Sequence, residues 1–174
     1  MRLDRLTIKA QEAVQAAQDL ASQAESPEVS VEHLLLALID GEGSVVKPIL
    51  QKLGADVEAI RLELEQEIHK GPKVVGGGQD VYVSSALKRV FDAAWKEATN
   101  LKDEYVSTEH LLIGCVEEKS SKVQNILKQH GVAKEQILKA LVDIRGGQRV
   151  TDPNAEDKYQ ALTRFGRDLT QEAL

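Results

Sequence analysis

The chain has 174 residues, and 42% of them are apolar, enough to build a hydrophobic core of domain size. A net charge of −6 and an aromatic content of 3% provide neither a basic field for phosphate backbones nor platforms for stacked bases, so nucleic acid is a poor partner. No apolar run approaches the ~18 residues needed to cross a bilayer, and the charged opening Met1-Arg2-Leu3-Asp4-Arg5 leads into no signal-peptide core. The expectation is a cytoplasmic protein with no membrane partner.

In chain order, Thr7 is placed to cap a first helix with Ala10, Ala13, Val14, Ala17, Leu20, Ala21 and Ala24 on one face. So many alanines predict close approach of a second helix. Ser30 caps the next helix, through about Ile39; Ser44 opens a third that stops before Gly54; Asp56 caps a fourth, through about His69. Residues 71–82 include Gly76-Gly77-Gly78 and read as a flexible connector.

The plan then repeats. Ser30-Val31-Glu32-His33-Leu34-Leu35 returns as Ser107-Thr108-Glu109-His110-Leu111-Leu112, a displacement of 77 residues. The same displacement, without a gap, pairs Thr7 with Ser84, Ala17 with Ala94, Ile49 with Ile126, Gly54 with Gly131, and Leu64 with Leu141. Two copies of one four-helix unit therefore span 7–64 and 84–141, with the second copy's helices opening at Ser84, Ser107, Ser121 and Ala133. The expected fold is all-α: two tandem repeats related by a pseudo-twofold axis, with any strand confined to the Gly-rich connector. The domain is expected to end near residue 145, where the turn-forming Arg145-Gly146-Gly147 begins a linker, 146–158.

The twin Ser-x-Glu-His-Leu-Leu motifs, with Thr7 and Ser84 opening each copy, resemble the Clp N-terminal repeat of the ClpA, ClpB and ClpC unfoldases. Two stretches point to the ClpB branch: the opening Met1-Arg2-Leu3-Asp4-Arg5-Leu6-Thr7, and the tail from Tyr159 to Thr170. The tail is similar to the start of the first AAA+ nucleotide-binding domain of ClpB proteins, so 159–174 is expected to be its truncated beginning. The resemblance implies a parent stress-response chaperone: a homohexameric ATPase that works with the DnaK system to disaggregate proteins and whose N-terminal domain, 1–145, docks unfolded or aggregated polypeptides. ATP and Mg²⁺ would belong to the parent's AAA+ domains. The chain carries no G-x-x-x-x-G-K-[ST] phosphate cradle, so it is expected to have no cofactor and no enzymatic activity of its own. The alternative is a ClpA- or ClpC-like domain that receives adaptors or phosphoarginine-marked substrates for a protease.

No catalytic set and no metal site are expected. Adjacent Glu and His on a helix point about 100° apart, so neither Glu32-His33 nor Glu109-His110 chelates one ion. The two histidines are expected to be hydrogen-bonded helix-face residues. Cys115, in an apolar run, is expected in the core.

The candidate binding residues are Thr7, Glu32, Ser84, Phe91 and Glu109. Counted from Ser30 and Ser107, each glutamate is the second helical residue. A carboxylate there gains from the helix dipole, and each is expected to face outward, near the hydroxyls of Thr7 and Ser84. In ClpC relatives the matching acidic positions are associated with phosphoarginine. ClpB-type domains instead use a partly apolar groove of the second repeat, to which Phe91, with Trp95 and Val83, would contribute. Some family members have leucines where this chain has Glu97 and His110, which weakens that groove here.

Overall fold

A computed structural model describes residues 3–74 and 81–159. Part of the connector (75–80) and most of the nucleotide-binding-domain start (160–174) lie outside the described residues.

Each repeat is a four-helix unit. The first contains α1 (Ile8–Gln23), α2 (Val31–Asp40), α3 (Val46–Lys52) and α4 (Val57–Lys70). The second contains α5 (Ser85–Asn100), α6 (Thr108–Glu117), α7 (Lys122–Gln129) and α8 (Lys134–Arg145). The caps follow the sequence: the hydroxyl of Thr7 accepts from the Ala10 N–H at 3.2 Å, and that of Ser84 from the Leu87 N–H at 3.1 Å. Gly54 and Gly131, just beyond α3 and α7, both have φ +76°, a left-handed turn that an L side chain would strain.

The tight helix pairs are α1 with α2 and α5 with α6. In the first, Ala10, Ala13, Ala17 and Ala21 form the buried face of α1. In the second, Val90 stands where the first repeat has Ala13, and Gly114 where it has Ala37. A Cβ at Gly114 would lie 2.6 Å from the Val90 carbonyl oxygen. The larger residue on one helix is accommodated by the smaller on its partner, so both crossings stay close-packed.

The repeats are joined reciprocally. Strand β1 (Glu28–Val29) pairs in parallel with β2 (Tyr82–Val83), and the Ser84 N–H donates to the Val29 carbonyl at 3.0 Å. Leu6 and Val106, each 77 positions from Val83 and Val29, form the matching parallel bridge, and the Thr7 N–H donates to the Val106 carbonyl at 2.9 Å. Each unit thus pairs its own interior with the start of the other, as a pseudo-twofold axis requires. Strand is not confined to the connector as expected, because the partner of β2 lies inside the first repeat.

The linker expectation needs a larger correction. Residues after α8 fold back over the second repeat, and 155–159 are helical. Val150, Ala155, Glu156 and Tyr159 are buried. The Glu104 N–H donates to the Val150 carbonyl at 2.8 Å and the Ile8 N–H to that of Pro153 at 2.9 Å. Gly146 and Gly147 both adopt positive φ, which turns the chain sharply at the end of α8, and the buried contacts of Val150, Ala155 and Tyr159 hold it against the domain.

Candidate functional site

The repeated motif builds the N-terminus of α2 and of α6. In each, His takes the position three residues after the capping serine and completes a capping box usually closed by Glu or Gln. The Ser30 N–H donates to His33 Nδ1 at 2.9 Å, and the Ser107 N–H to His110 Nδ1, also at 2.9 Å. Nδ1 therefore carries the lone pair in both rings and Nε2 the proton. His33 Nε2 lies 3.2 Å from Ser26 Oγ; His110 Nε2 lies 2.7 Å from Asp103 Oδ2. Burial lowers the pKa of His33 against a smaller opposing pull from Glu32.

From this shared frame the two repeats diverge. Arg145, 77 positions after Ile68, turns inward in the second repeat. Its Nε donates to Glu109 Oε2 at 3.1 Å, its Nη2 lies 3.0 Å from the same oxygen, and its Nη1 lies 3.0 Å from Asp103 Oδ2. Its guanidinium carbon stands 5.6 Å from the centre of the Tyr159 ring, within cation–π range. Burial disfavours this charge, but Glu109 and the acidic groups beside it prevail and raise the Arg145 pKa. Asp103, also buried, is held below its ordinary range by the His110 hydrogen bond, the Val150 N–H and Arg145 together. In the first repeat the counterparts of Asp103 and Arg145 are Ser26 and Ile68. Here a cavity of about 210 Å³ opens, with Glu32, His33, Ser26, Ser30, Glu67 and Ile68 among its lining residues.

A second pair of sites shows the same contrast. A cavity of about 350 Å³ in the first repeat is lined by Leu20, Ala24, Leu36 and Ile68, with Glu65, His69 and Lys73 at its polar side. In the second repeat Glu97 replaces Leu20 and Lys134 replaces Val57. Lys134 Nζ lies 3.0 Å from Glu97 Oε2 and 3.2 Å from Glu117 Oε1, so the corresponding groove, a cavity of about 270 Å³ that also touches Asn100 and Ile113, is lined by an ion pair in place of two apolar residues.

The expected surface of Thr7, Glu32, Ser84 and Glu109 is therefore not one surface. Glu32 lines an open cavity and Ser84 is nearly buried, at 8% exposure. Thr7 and Glu109 are both fully buried, beneath the folded-back segment. The outward glutamate expected at Glu109 is overturned because Arg145 draws its carboxylate inward. Phe91 is partly buried against the core, and Trp95 is 41% exposed. Cys115 is buried as expected, and burial raises its thiol pKa. Sequence reasoning missed Arg145, Asp103, Glu156 and Tyr159. For the first two a signal existed, since the 77-residue displacement sets a charge against Ile68 and against Ser26. Glu156 and Tyr159 lie beyond the repeat, where no internal copy exists for comparison. Among the described residues no group of His, Cys, Asp or Glu is arranged to hold a metal ion, and no helix is long and apolar enough to cross a membrane.

The family model of the Clp repeat (R) N-terminal domain matches residues 5–130, which hold most of these two paired four-helix units; the chain belongs to that family. Within it, the likeness to ClpB chaperones runs the length of the chain. It is 42% identical to the chaperone protein ClpB of Bacillus cereus over 99% of its own residues and 20% of that protein's. Against the ClpB of Rhodopirellula baltica the figures are 43%, 98% and 19%. The chain thus spans about a fifth of the length of the curated relatives it matches. Among solved structures, the Hsp104 N-terminal domain from Candida albicans superposes with a TM-score of 0.76 at 22% identity, covering 87% of this chain and 98% of that one. A complex of the ClpV N-domain with a VipB peptide gives 0.63 at 21%, covering 80% and 86%. At these identities the structural likeness shows the fold alone.

Proposed function

We propose that this chain is the polypeptide-docking domain of a ClpB-type disaggregase and that it receives its ligand on the first repeat. The observation that carries the reading is the asymmetry between otherwise matching sites. The first repeat keeps an apolar groove and an acidic cavity that share Ile68, whereas in the second repeat Arg145 occupies the counterpart of the acidic cavity, and the counterpart of the groove, a cavity of about 270 Å³, is lined by the Lys134–Glu97 ion pair. An extended segment crossing Ile68 would set an apolar side chain against Leu20 and Leu36 and a cationic one beside Glu32. That the ClpV N-domain has been solved with a VipB peptide supports peptide docking as a use of the fold. The parent would supply the AAA+ domains, the ATP and Mg²⁺, the hexamer, the DnaK partnership and the cytoplasmic setting; the docking domain itself would carry no catalysis.

The test transplants the second repeat's ion pair into the first. Leu20→Glu combined with Val57→Lys should leave the fold intact and weaken binding of a permanently unfolded model protein by roughly tenfold or more, about 1.4 kcal/mol. Phe91→Ala, in the second repeat, should leave that affinity unchanged. The opposite pattern would return docking to the second repeat.

The acidic cavity supports a second reading, reception of phosphoarginine-marked or arginine-bearing chains, because the equivalent space in the second repeat holds a guanidinium. Glu32→Gln should then abolish most of the affinity for an arginine or phosphoarginine peptide and little of that for an uncharged unfolded segment.

A further inference from the structure

The segment after α8 is held over the second repeat by few apolar groups and several polar ones. Val150, Ala155 and Tyr159 are its buried apolar contacts. Its carbonyls accept from Glu104 and Ile8, and the Val150 N–H donates to Asp103 Oδ1 at 3.0 Å. Glu156 is the central anchor. Its Oε2 accepts from the Thr7 hydroxyl at 2.7 Å, a group that also caps α1, and from the Thr108 N–H at 3.1 Å, the first amide of α6. One side chain thus ties the segment to the opening helix of the first repeat and to the motif helix of the second.

The cluster that receives Glu156 is overcharged. The charged and titratable groups gathered there are Glu109 and His110 from α6, Arg145 from α8, Asp103 from the α5–α6 loop, and Tyr159 from the segment's own turn. Arg145 is matched by Asp103 and by Glu109 Oε2, so its guanidinium pairs with two of the cluster's three carboxylates, and Glu156 stands beside Glu109 as the third. Besides the Tyr159 hydroxyl, two carboxylate oxygens of the cluster, Glu109 Oε1 and Glu156 Oε1, are buried without a hydrogen-bond partner among the described residues. Leaving both as bare acceptors is costly, and a proton on one converts an unsatisfied acceptor into a donor.

We propose that residues 150–159 form a strap that closes over the second repeat while the Glu156 carboxyl, buried beside Glu109, holds a proton, and that loosens when the proton leaves. A loosened strap uncovers Thr7 and Glu109. Burial, and then the neighbouring Glu109, push Glu156 up to about 7 from an ordinary 4.5, and the hydrogen bonds from Thr7 and Thr108 oppose the shift without cancelling it. The closed form therefore binds the proton more tightly than the open one. Closure is strongest below about pH 4.5, weakens as pH rises toward 7, and then levels off. Within that window the closing equilibrium falls by up to roughly tenfold per pH unit.

The test is amide exchange by NMR on the whole chain, with each rate referred to the intrinsic rate at the same pH. Protection at Ile8, Thr108 and Val150, whose N–H groups bond across the strap, should fall by roughly tenfold or more between about pH 5 and 7.5. Core amides at Leu38 and Leu112 should hold. Glu156→Gln keeps the acceptor oxygen, places a neutral donor at Oε1 and should flatten the profile. A flat profile in the unsubstituted chain, an equal fall at the core amides, or an undiminished fall in Glu156→Gln would overturn the strap. If that variant does not fold, the unsubstituted profile against the core amides still decides.

Discussion

The two repeats share helices, caps and the His-closed capping box, yet differ in what occupies their concave sites. In the first, Ile68 borders both an open acidic cavity and an apolar groove, and Leu20 lines the groove. In the second, Arg145, Glu97 and Lys134 stand at the corresponding positions and join in ion pairs. Duplication supplies two equal scaffolds, and a few charge substitutions turn one into a receiver and the other into a base for the segment that follows. The close packing of α1 on α2 and α5 on α6 is meanwhile preserved by paired changes of volume.

The sharpest way to break this comparison is to remove the buried cation. Arg145→Met leaves Asp103 and Glu109 buried without their guanidinium and should lower stability by about 3–5 kcal/mol. Ile68→Ala, at the half-buried counterpart, should cost about 1 kcal/mol or less. Chemical denaturation of the two variants checks the difference, and equal losses would mean that the ion network does not distinguish the repeats.

Next in size is the packing exchange. Gly114→Ala should destabilise by about 1–3 kcal/mol because its Cβ meets the Val90 backbone oxygen. Adding Val90→Ala reproduces the Ala13–Ala37 pair of the first repeat. It should recover part of the loss if α5 can shift against α6, and a double-mutant cycle that is simply additive would show that it cannot.

The smallest effect concerns pH at the first motif. His33 has a lowered pKa when folded, so the folded state prefers the neutral ring. Its contribution is present above the unfolded value of 6.5 and is lost as pH falls from there through the lower folded value. Melting temperatures should therefore drop more steeply below about pH 6.5 in the unsubstituted chain than in His33→Gln, where an uncharged residue holds the third helical position.

Much of the architecture was legible in the residues. The 77-residue displacement, the Thr7, Ser84, Ser30 and Ser107 caps and the stop glycines at 54 and 131 mark out two helical units in the sequence itself. They do so because capping and helical periodicity are local: each depends on residues within a turn or two. The site was legible in part. Glu32 and Glu109 hold the same place in the repeated Ser-x-Glu-His-Leu-Leu motif, which delivers both to a helix N-terminus.

What separates them is tertiary. Glu109 turns inward because a guanidinium from α8, 36 residues away, reaches its carboxylate, and because Glu156 and Tyr159 close over it. Helical spacing tells which residues face a neighbour; it does not tell which distant charge the neighbour brings, nor whether a Gly146-Gly147 turn sends the chain away or back across the domain. By itself the sequence determined two copies of one helical unit and the order of their helices. Only the tertiary structure decided that the acidic site stays open in one copy and is filled and covered in the other, because burying a charge depends on partners that local sequence does not bring together.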